Sequence, residues 1–380
     1  MRVFHNLNVD FLGKRKIFYI FSLTLFGIGL LSVIFKGLSF GIDFKGGSEI
    51  VLQFDKQINI AEIRNDIENI GLGNVEVRTF GGETGALIRT ELQEVPSDVY
   101  PKVVASVENQ IKKIIPDVPF NIVEKTSNSI RYSFPNPDTA NMVSEKLFEA
   151  GFQSGKVSEE PDNTQIDVSV AISEWIKENL REKVKDNPFK VVKEDRVGPK
   201  VGDELKRDAV IAVFLSLVVI LIYLGFRFKF VFAVGAVAAL FHDVLITLGL
   251  YSALYGVIPG LNLDIDLSVV AAFLTLVGYS INDTVIVFDR VRENMKIHKS
   301  LPLKEVINKS INQTMSRTII TSFTTLLTVF VLMLLGGDVL RAFAFTLFFG
   351  IIIGTYSSIF VASAFVLEYV EKTKKKVQFS

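Results

Sequence analysis

The sequence has 380 residues, 49% of them hydrophobic and 22% charged, with a mean hydropathy of +0.38; so much apolar surface excludes a disordered chain. Charged residues concentrate between about 43 and 208 and long apolar runs fill the remainder, which excludes a single soluble globule. Lys+Arg and Asp+Glu balance at 41 each and cysteine is absent, so no net field favours nucleic acid, and disulfide, thiol, iron–sulfur and thiolate-zinc chemistry are excluded.

In chain order, residues 1–16 form a short N-terminus ending in Lys14-Arg15-Lys16, and 17–36 form the first apolar span. A bilayer core needs roughly 20 apolar residues in a helix, and this run exceeds the apolar core of a secretory signal. Phe35-Lys36-Gly37 offers no small-x-small cleavage site, so the segment reads as an uncleaved anchor.

Residues 37–208 alternate short β patterns with amphipathic helices, and the order repeats. In the first half (about 48–125), a strand at 50–54 precedes a helix at 60–71, strands at 75–79 and 86–90, and a helix at 98–115. In the second half (about 126–196), a strand at 130–134 precedes a helix at 138–151, strands at 155–159 and 165–170, and a helix at 171–186. Gly71 and Gly151 suit helix C-termini. Each half closes on a similar strand, Pro119-Phe120-Asn121-Ile122-Val123 and Pro188-Phe189-Lys190-Val191-Val192. The pattern predicts two tandem βαββαβ units, each ferredoxin-like; one irregular α/β domain with similar halves is the alternative. Trp175 reads as core, no catalytic set stands out, and open sheet edges offer strand addition as a way to bind extended polypeptide.

Five further spans follow at about 209–226, 230–251, 267–288, 318–336 and 341–367, then a tail at 368–380. The fold class is thus a six-helix membrane bundle with an α+β outer domain. Positive charge gathers at Arg2, Lys14 to Lys16, Arg227, Lys229, the 289–317 loop and Lys372 to Lys376, while the 252–266 loop has none. This bias places both termini in the cytoplasm and 37–208 outside. Lys206 and Arg207 run against it, but they belong to a long loop, and long loops translocate largely regardless of charge.

Ionisable residues inside a span are costly, about 2.5–3.5 kcal/mol on insertion scales, and mark function by default. The third span holds His242-Asp243, the fourth Thr275, Tyr279, Asn282 and Asp283, and the fifth opens with Arg317 and continues Thr318, Thr321, Ser322, Thr324, Thr325 and Thr328. Helical spacing puts 275, 279, 282 and 283 on one face, and 317, 321, 324, 325 and 328 on another. If these stripes meet, Asp283 and Arg317 lie at one depth. Burial favours the neutral form of such a carboxyl and a guanidinium the charged form, so the pair can take up and release a proton. A static ion pair with hydroxyl glue is the alternative. His242-Asp243 fits a relay member or a satisfied structural pair. Gly350-x-x-x-Gly354-x-x-x-Ser358 is a small-residue packing seam, and no Gly-x-Gly-Asp supports an intramembrane aspartyl protease. His5, His242 and His298 are too scattered for a metal site. Neither an enzyme nor a cofactor is expected.

Several segments together resemble the SecF side of the SecD/SecF family, within the resistance-nodulation-division superfamily. They are Gly41-Ile42-Asp43-Phe44-Lys45-Gly46-Gly47, Arg196 to Gly202, Val277 to Thr284 running on through Asp289 to Asn294, Ser316-Arg317-Thr318 and Gly354 to Ser358. The resemblance implies a multi-pass protein of the bacterial inner membrane that pairs with SecD and associates with the SecYEG channel. It implies use of the proton motive force to draw unfolded secretory polypeptides outward. It assigns Asp283 and Arg317 to the proton pathway, with Asn282 in the Asn-Asp motif; His242 and Asp243 match as well. The family's outer domain is usually a single ferredoxin-like unit, whereas 37–208 has room for two. A proton-coupled small-molecule exporter and a non-coupling structural subunit are the competing functions.

Overall fold

The computed structural model describes residues 7–373 except 73, 74, 93, 159, 259 and 260, and gives the backbone alone of 182, 199, 338 and 339. Arg2, His5 and Lys374 to Lys376 lie outside the described residues. A 3-10 turn at Leu12–Lys14 leads into α1 (Arg15–Lys36). Then come α2 (Ile42–Lys45), β1 (Gly47–Phe54), α3 (Ile60–Glu68), β2 (Val75–Thr79), β3 (Gly85–Thr90) and α4 (Tyr100–Ile114). They are followed by β4 (Asn121–Lys125), β5 (Ser129–Ser133), α5 (Pro137–Glu149), β6 (Ser154–Lys156), β7 (Gln165–Ser169), α6 (Ile172–Lys183) and β8 (Phe189–Val197). The long helices are α7 (Pro199–Arg227), α8 (Phe230–Leu254), α9 (Leu267–Ile297), α10 (Leu303–Leu335) and α11 (Gly337–Ser357), which continues through a π turn (Ser358–Ala362) into α12 (Ser363–Thr373). Residues 42–204 form one unit; those up to 41 and from 205 form another.

In the first unit, local signals fix the elements. Asn59 and Asn136 cap α3 and α5 by accepting the Ala61 and Thr139 amides at 3.0 and 2.8 Å. Gly71 and Gly151 follow α3 and α5 with positive φ, as their places after the apolar pattern predict. The strand order is β2-β3-β1-β8 in one antiparallel sheet and β4-β5-β7-β6 in the other. This corrects the tandem expectation. The strand near 119–123 was expected to close the first half and that near 188–192 the second. Instead β4 pairs with β5 and β8 with β1, and α6 packs on α3 while α4 packs on α5. The reason is reach: β4 and β5 are joined by a short turn in which Thr126 Oγ1 donates to the Ser129 carbonyl at 3.0 Å, and a hairpin closes a far shorter loop than β1 would require. The two closing strands are too alike in sequence for pattern alone to tell them apart.

Both sheets share one core. Ile50, Leu52 and Ile88 under the first, and Ile130, Ile166 and Val168 under the second, join through Ile67, Val107, Leu147 and Ile176. Trp175 lies in this core and donates from Nε1 to the Ile70 carbonyl at 3.2 Å. Each edge strand β4 and β8 carries a bulge, at Val123 and Val192, which sit at matching places in the two Pro-Phe motifs. A bulge disrupts the regular ladder that an incoming strand would need at these two edges, whereas the opposite edge strands, β2 and β6, pair in unbroken register.

Among the described residues of the helical unit, six helices are long and apolar enough to cross a membrane. Their ends overrun the predicted spans: α7 starts at Pro199, α9 continues to Ile297, and α10 starts at Leu303. The presumed 289–317 loop is therefore mostly helix, because amphipathic charged turns extend the spans without breaking them. A seam joins α1 to α8, with Ser22 Oγ 3.1 Å from His242 Nε2 and Ser32 Oγ 2.9 Å from Ser252 Oγ. Between these pairs, a Cβ added at Gly29 would lie 2.9 Å from the Gly249 Cα. The residue offset is the same at all three pairs, so the two helices run parallel. On the last span, a Cβ at Gly350 would meet Leu276 at 2.5 Å, and one at Gly354 would meet Ser280 at 2.8 Å. The predicted small-residue seam thus packs against α9.

Because the chain lacks cysteine, the strand exchange can be tested with introduced thiols. Asn121→Cys with Ser133→Cys, directly opposed in β4 and β5, is expected to form a disulfide under mild oxidation. Asn121→Cys with Gln53→Cys, the pairing tandem units would give, is expected to stay reduced. Mass spectrometry of tryptic peptides distinguishes the two.

Candidate functional site

Two carboxylates are sealed in the bundle, Asp243 on α8 at 1% exposure and Asp283 on α9 at 2%. Asp243 sits in a helix whose neighbouring turns carry small residues (Ala236, Ala239, Gly249), all but Gly249 fully packed in core contacts. Its Oδ2 accepts from Ser280 Oγ on α9 at 2.7 Å and from Ser357 Oγ at the end of α11 at 2.8 Å. Its Oδ1 lies 3.0 Å from His242 Nδ1. From His242 Nε2 the contacts continue to Ser22 Oγ on α1 at 3.1 Å, to Tyr356 Oη at 2.9 Å, and from there to the Phe18 carbonyl at 2.7 Å. Four helices therefore meet on one carboxylate and its imidazole. Gly354 leaves the space for Ser280, since a Cβ there would lie 2.8 Å from Ser280 Oγ. Directly after Ser357 the helix widens into its π turn, and Ser363 Oγ donates to the Ser358 carbonyl at 3.0 Å. Such turns often sit at functional positions.

Asp283 has fewer partners. Its Oδ2 accepts from Ser322 Oγ on α10 at 3.2 Å, and Ser322 Oγ lies 2.8 Å from Thr355 Oγ1. One turn before Ser322, the buried Thr318 hydroxyl has no hydrogen-bond partner. Arg317 is exposed, and among the described residues no ion pair joins it to Asp283.

The predicted stripes are sorted differently by the packing. Asp283 shares the buried face of α9 with Leu276, Ser280 and Val287, whereas Thr275, Gly278 and Asn282 lie on its exposed face. On α10, Thr318 and Ser322 are buried, whereas Arg317, Thr324 and Thr328 are exposed. Tyr279 links the two helices, donating to the Thr321 carbonyl and Thr325 Oγ1, both at 3.1 Å. Thr321 and Thr325 donate to carbonyls one turn back on their own helix, each at 3.0 Å. The expectation that 275, 279, 282 and 283 face 317, 321, 324, 325 and 328 as one polar contact therefore fails in part. Residues 80° to 100° apart on a helix fall on different sides of a packing boundary, and spacing alone does not locate that boundary.

The glycine motif after α1 is architectural in the described structure. The Gly41 amide donates to the Ile265 carbonyl at 2.8 Å. Phe44 on α2 is buried at 4% exposure, and Asp43 lies in the first turn of the same helix. Gly46 and Gly47 adopt φ of 75° and 120°. At Gly47 a Cβ would lie 2.2 Å from the Thr90 carbonyl oxygen, so only glycine can start β1 here.

Ser22 is a site residue that sequence reasoning missed, and Ser280, Ser322, Thr355, Tyr356 and Ser357 fell within polar or family segments without being given a role. A lone hydroxyl in an apolar helix normally bonds its own backbone, so it carries no signal until the neighbouring helix is placed. Among the described residues, no cluster of three or more His, Cys, Asp or Glu side chains is placed to hold a metal. Chemically, two buried carboxylates, one held by two hydroxyls and an imidazole and the other by a single hydroxyl, are suited to binding and releasing protons.

Comparison with known proteins agrees with this architecture. Residues 176–372 match the profile of the protein export membrane protein SecD/SecF C-terminal region, and residues 31–58 match that of the SecD/SecF GG motif. A protein translocase subunit SecF from Rhodothermus marinus is 39% identical over 368 residues, covering 97% of this chain and 95% of the relative. A SecDF subunit from Thermus thermophilus is 49% identical over 188 residues, which is 50% of this chain and 24% of that protein. The crystal structure of a Thermus SecDF, described as a translocon-associated membrane protein, superposes with a TM-score of 0.65 at 30% identity, over 96% of this chain and 39% of that one. The chain belongs to the SecD/SecF family of protein export membrane proteins, as one of its SecF translocase subunits.

Proposed function

We propose that this subunit uses the proton motive force to help draw secretory polypeptides out through the SecYEG channel, with Asp283 as its principal proton carrier. The observation that carries this reading is the environment of Asp283: a buried carboxylate with one hydroxyl donor, no ion pair and an orphan hydroxyl one turn beyond that donor. Structural glue is normally fully bonded, whereas a relay needs vacant hydrogen-bonding capacity. One charge crossing about 100 mV releases about 2.3 kcal/mol, enough for a few protons to drive a substantial shift of packed helices.

The exposed polar face of α9 and α10 favours a partner in the membrane. Asn282, Arg317, Thr324 and Thr328 lie uncovered by this chain within helices of spanning length, and lipid is a costly neighbour for them. The similarity to one portion of SecDF polypeptides supports SecD as the occupant of that face, with Arg317 approaching the proton path in the assembled pair. In this reading each sheet, with its two helices, is a ferredoxin-like unit whose closing helix and strand have been exchanged. The sheets lie on the outer side of the bacterial inner membrane and both termini in the cytoplasm. No covalent chemistry is assigned to the subunit. An exporter of small molecules is disfavoured, because the outer unit is a packed core and not a funnel.

In energised inner-membrane vesicles at matched levels of the complex, Asp283→Asn is expected to remove the uncoupler-sensitive stimulation of secretory-protein release and to leave ATP-driven translocation near its wild-type rate. Intact stimulation in Asp283→Asn would assign the polar cluster to structure. Asn282→Cys, a single thiol in an otherwise cysteine-free chain, is expected to cross-link to SecD with a short bifunctional reagent. An exposed membrane residue such as Phe214, replaced in the same way, serves as the comparison for lipid-facing positions.

A further inference from the structure

We infer that Asp243 and His242 together hold one proton more than an ionised carboxylate and a neutral imidazole would carry, and that Ser22 and Tyr356 keep it there. The inference rests on the proton-coupled reading above and adds to it a second proton store, apart from Asp283, built across α1, α8 and the last span.

The chain Asp243–His242–Ser22–Tyr356–Phe18 has four contacts, of 3.0, 3.1, 2.9 and 2.7 Å. Each is within hydrogen-bond distance and each needs a hydrogen. With the carboxylate charged and the imidazole neutral, the imidazole, the serine and the tyrosine supply three hydrogens for these four contacts. One O···O or N···O pair would then face lone pair to lone pair in a low-dielectric interior, which is unfavourable. One added proton serves every contact in a single direction: Nε2–H donates to Ser22, the Ser22 hydroxyl to Tyr356, and the Tyr356 hydroxyl to the Phe18 carbonyl. The proton itself is shared between Asp243 and His242 Nδ1, and either placement leaves Nε2 bearing hydrogen.

The surroundings point the same way. The groups that face the pair are hydroxyls: Ser280 from α9, Ser357 and Tyr356 from the last span, and Ser22 from α1. Asp283, the next acidic group along α9, is engaged by Ser322 from α10. Among the described residues, no Lys or Arg lies within ion-pair distance of Asp243, and His242 is its one ionic partner. A carboxylate at 1% exposure without a fixed cation must be compensated by a proton. Because the acceptor chain runs through Ser22 and ends on Phe18, both on α1, the proton also fastens α1 to the bundle. Its departure would leave the upper contacts of the seam one hydrogen short.

The test is nitrogen NMR of the imidazole. The chain has only three histidines, so His5→Gln with His298→Gln leaves His242 alone; His298 is a surface partner of Lys309. The full chain, labelled with 15N-histidine in lipid nanodiscs at pH 7, is expected to show a directly bonded hydrogen on Nε2. Ser22→Ala removes the acceptor and is expected to lose the Nε2 one-bond N–H coupling, and Ser22→Thr to keep it. A bare Nε2 in the parent chain, or a coupling that Ser22→Ala leaves unchanged, overturns the inference. The three-histidine wild type, assigned by its difference from His242→Asn, gives the same readout should the double replacement fold poorly. No transport is measured, so failure of the proposed role of Asp283 and failure of this proton store are read separately.

Discussion

A carboxyl group inside an apolar helix bundle must be compensated where it lies, and this chain compensates with hydroxyls and an imidazole in place of lysine or arginine. Asp243 gathers Ser280, Ser357 and His242 from three directions; Asp283 gathers Ser322. That choice governs the rest of the bundle. A hydroxyl reaches a carboxylate on another helix only when the backbones approach closely, which explains why Gly354 faces Ser280 and Gly29 faces Gly249. A guanidinium would have reached the carboxylate from further away and held its charge permanently. A hydroxyl can donate to a carboxylate or accept from a carboxyl, so Ser322 can serve Asp283 in either protonation state.

The two carboxylates differ in kind. Asp243 is the centre of a fully bonded cluster tying four helices together, and it includes the N-terminal helix through Ser22. Asp283 is sparsely bonded and lies beside a polar face that this chain leaves uncovered. A subunit that forms one part of a membrane complex is expected to be arranged this way, with a self-contained anchor inside and an incomplete site at the interface. Arg317, exposed here, belongs to that incomplete site in the proposed reading. The outer unit obeys a separate logic: its two sheets exchange closing segments and share one core, so neither can unfold without the other.

Much of this was legible in the sequence. Six apolar runs give the six long helices, and the apolar period with Gly71 and Gly151 places α3 and α5 within two or three residues. What pattern could not supply is which of two equivalent segments enters which sheet. Pro119-Phe120 and Pro188-Phe189 open near-identical strands, and the short turn between β4 and β5 settles their destinations by proximity. The site shows the same division. Aspartates in apolar helices announce themselves by cost, so Asp243 and Asp283 were found. Serines do not, because each can satisfy itself on its own helix; the partners of Ser22, Ser322 and Ser357 emerge only once a second helix is in place. The spacing argument also joined Asp283 to Asn282 and Thr275, which the packing separates onto buried and exposed faces.

The central claim is that proton movement runs through the buried carboxylates of this subunit, and proton flux measures it most directly. In proteoliposomes containing this chain with SecD, its proposed partner, and an internal pH-sensitive dye, an imposed membrane potential is expected to drive proton uptake that Asp283→Asn abolishes. Equal uptake by wild type and Asp283→Asn, with both complexes intact, would contradict the account and place the coupling site outside this chain.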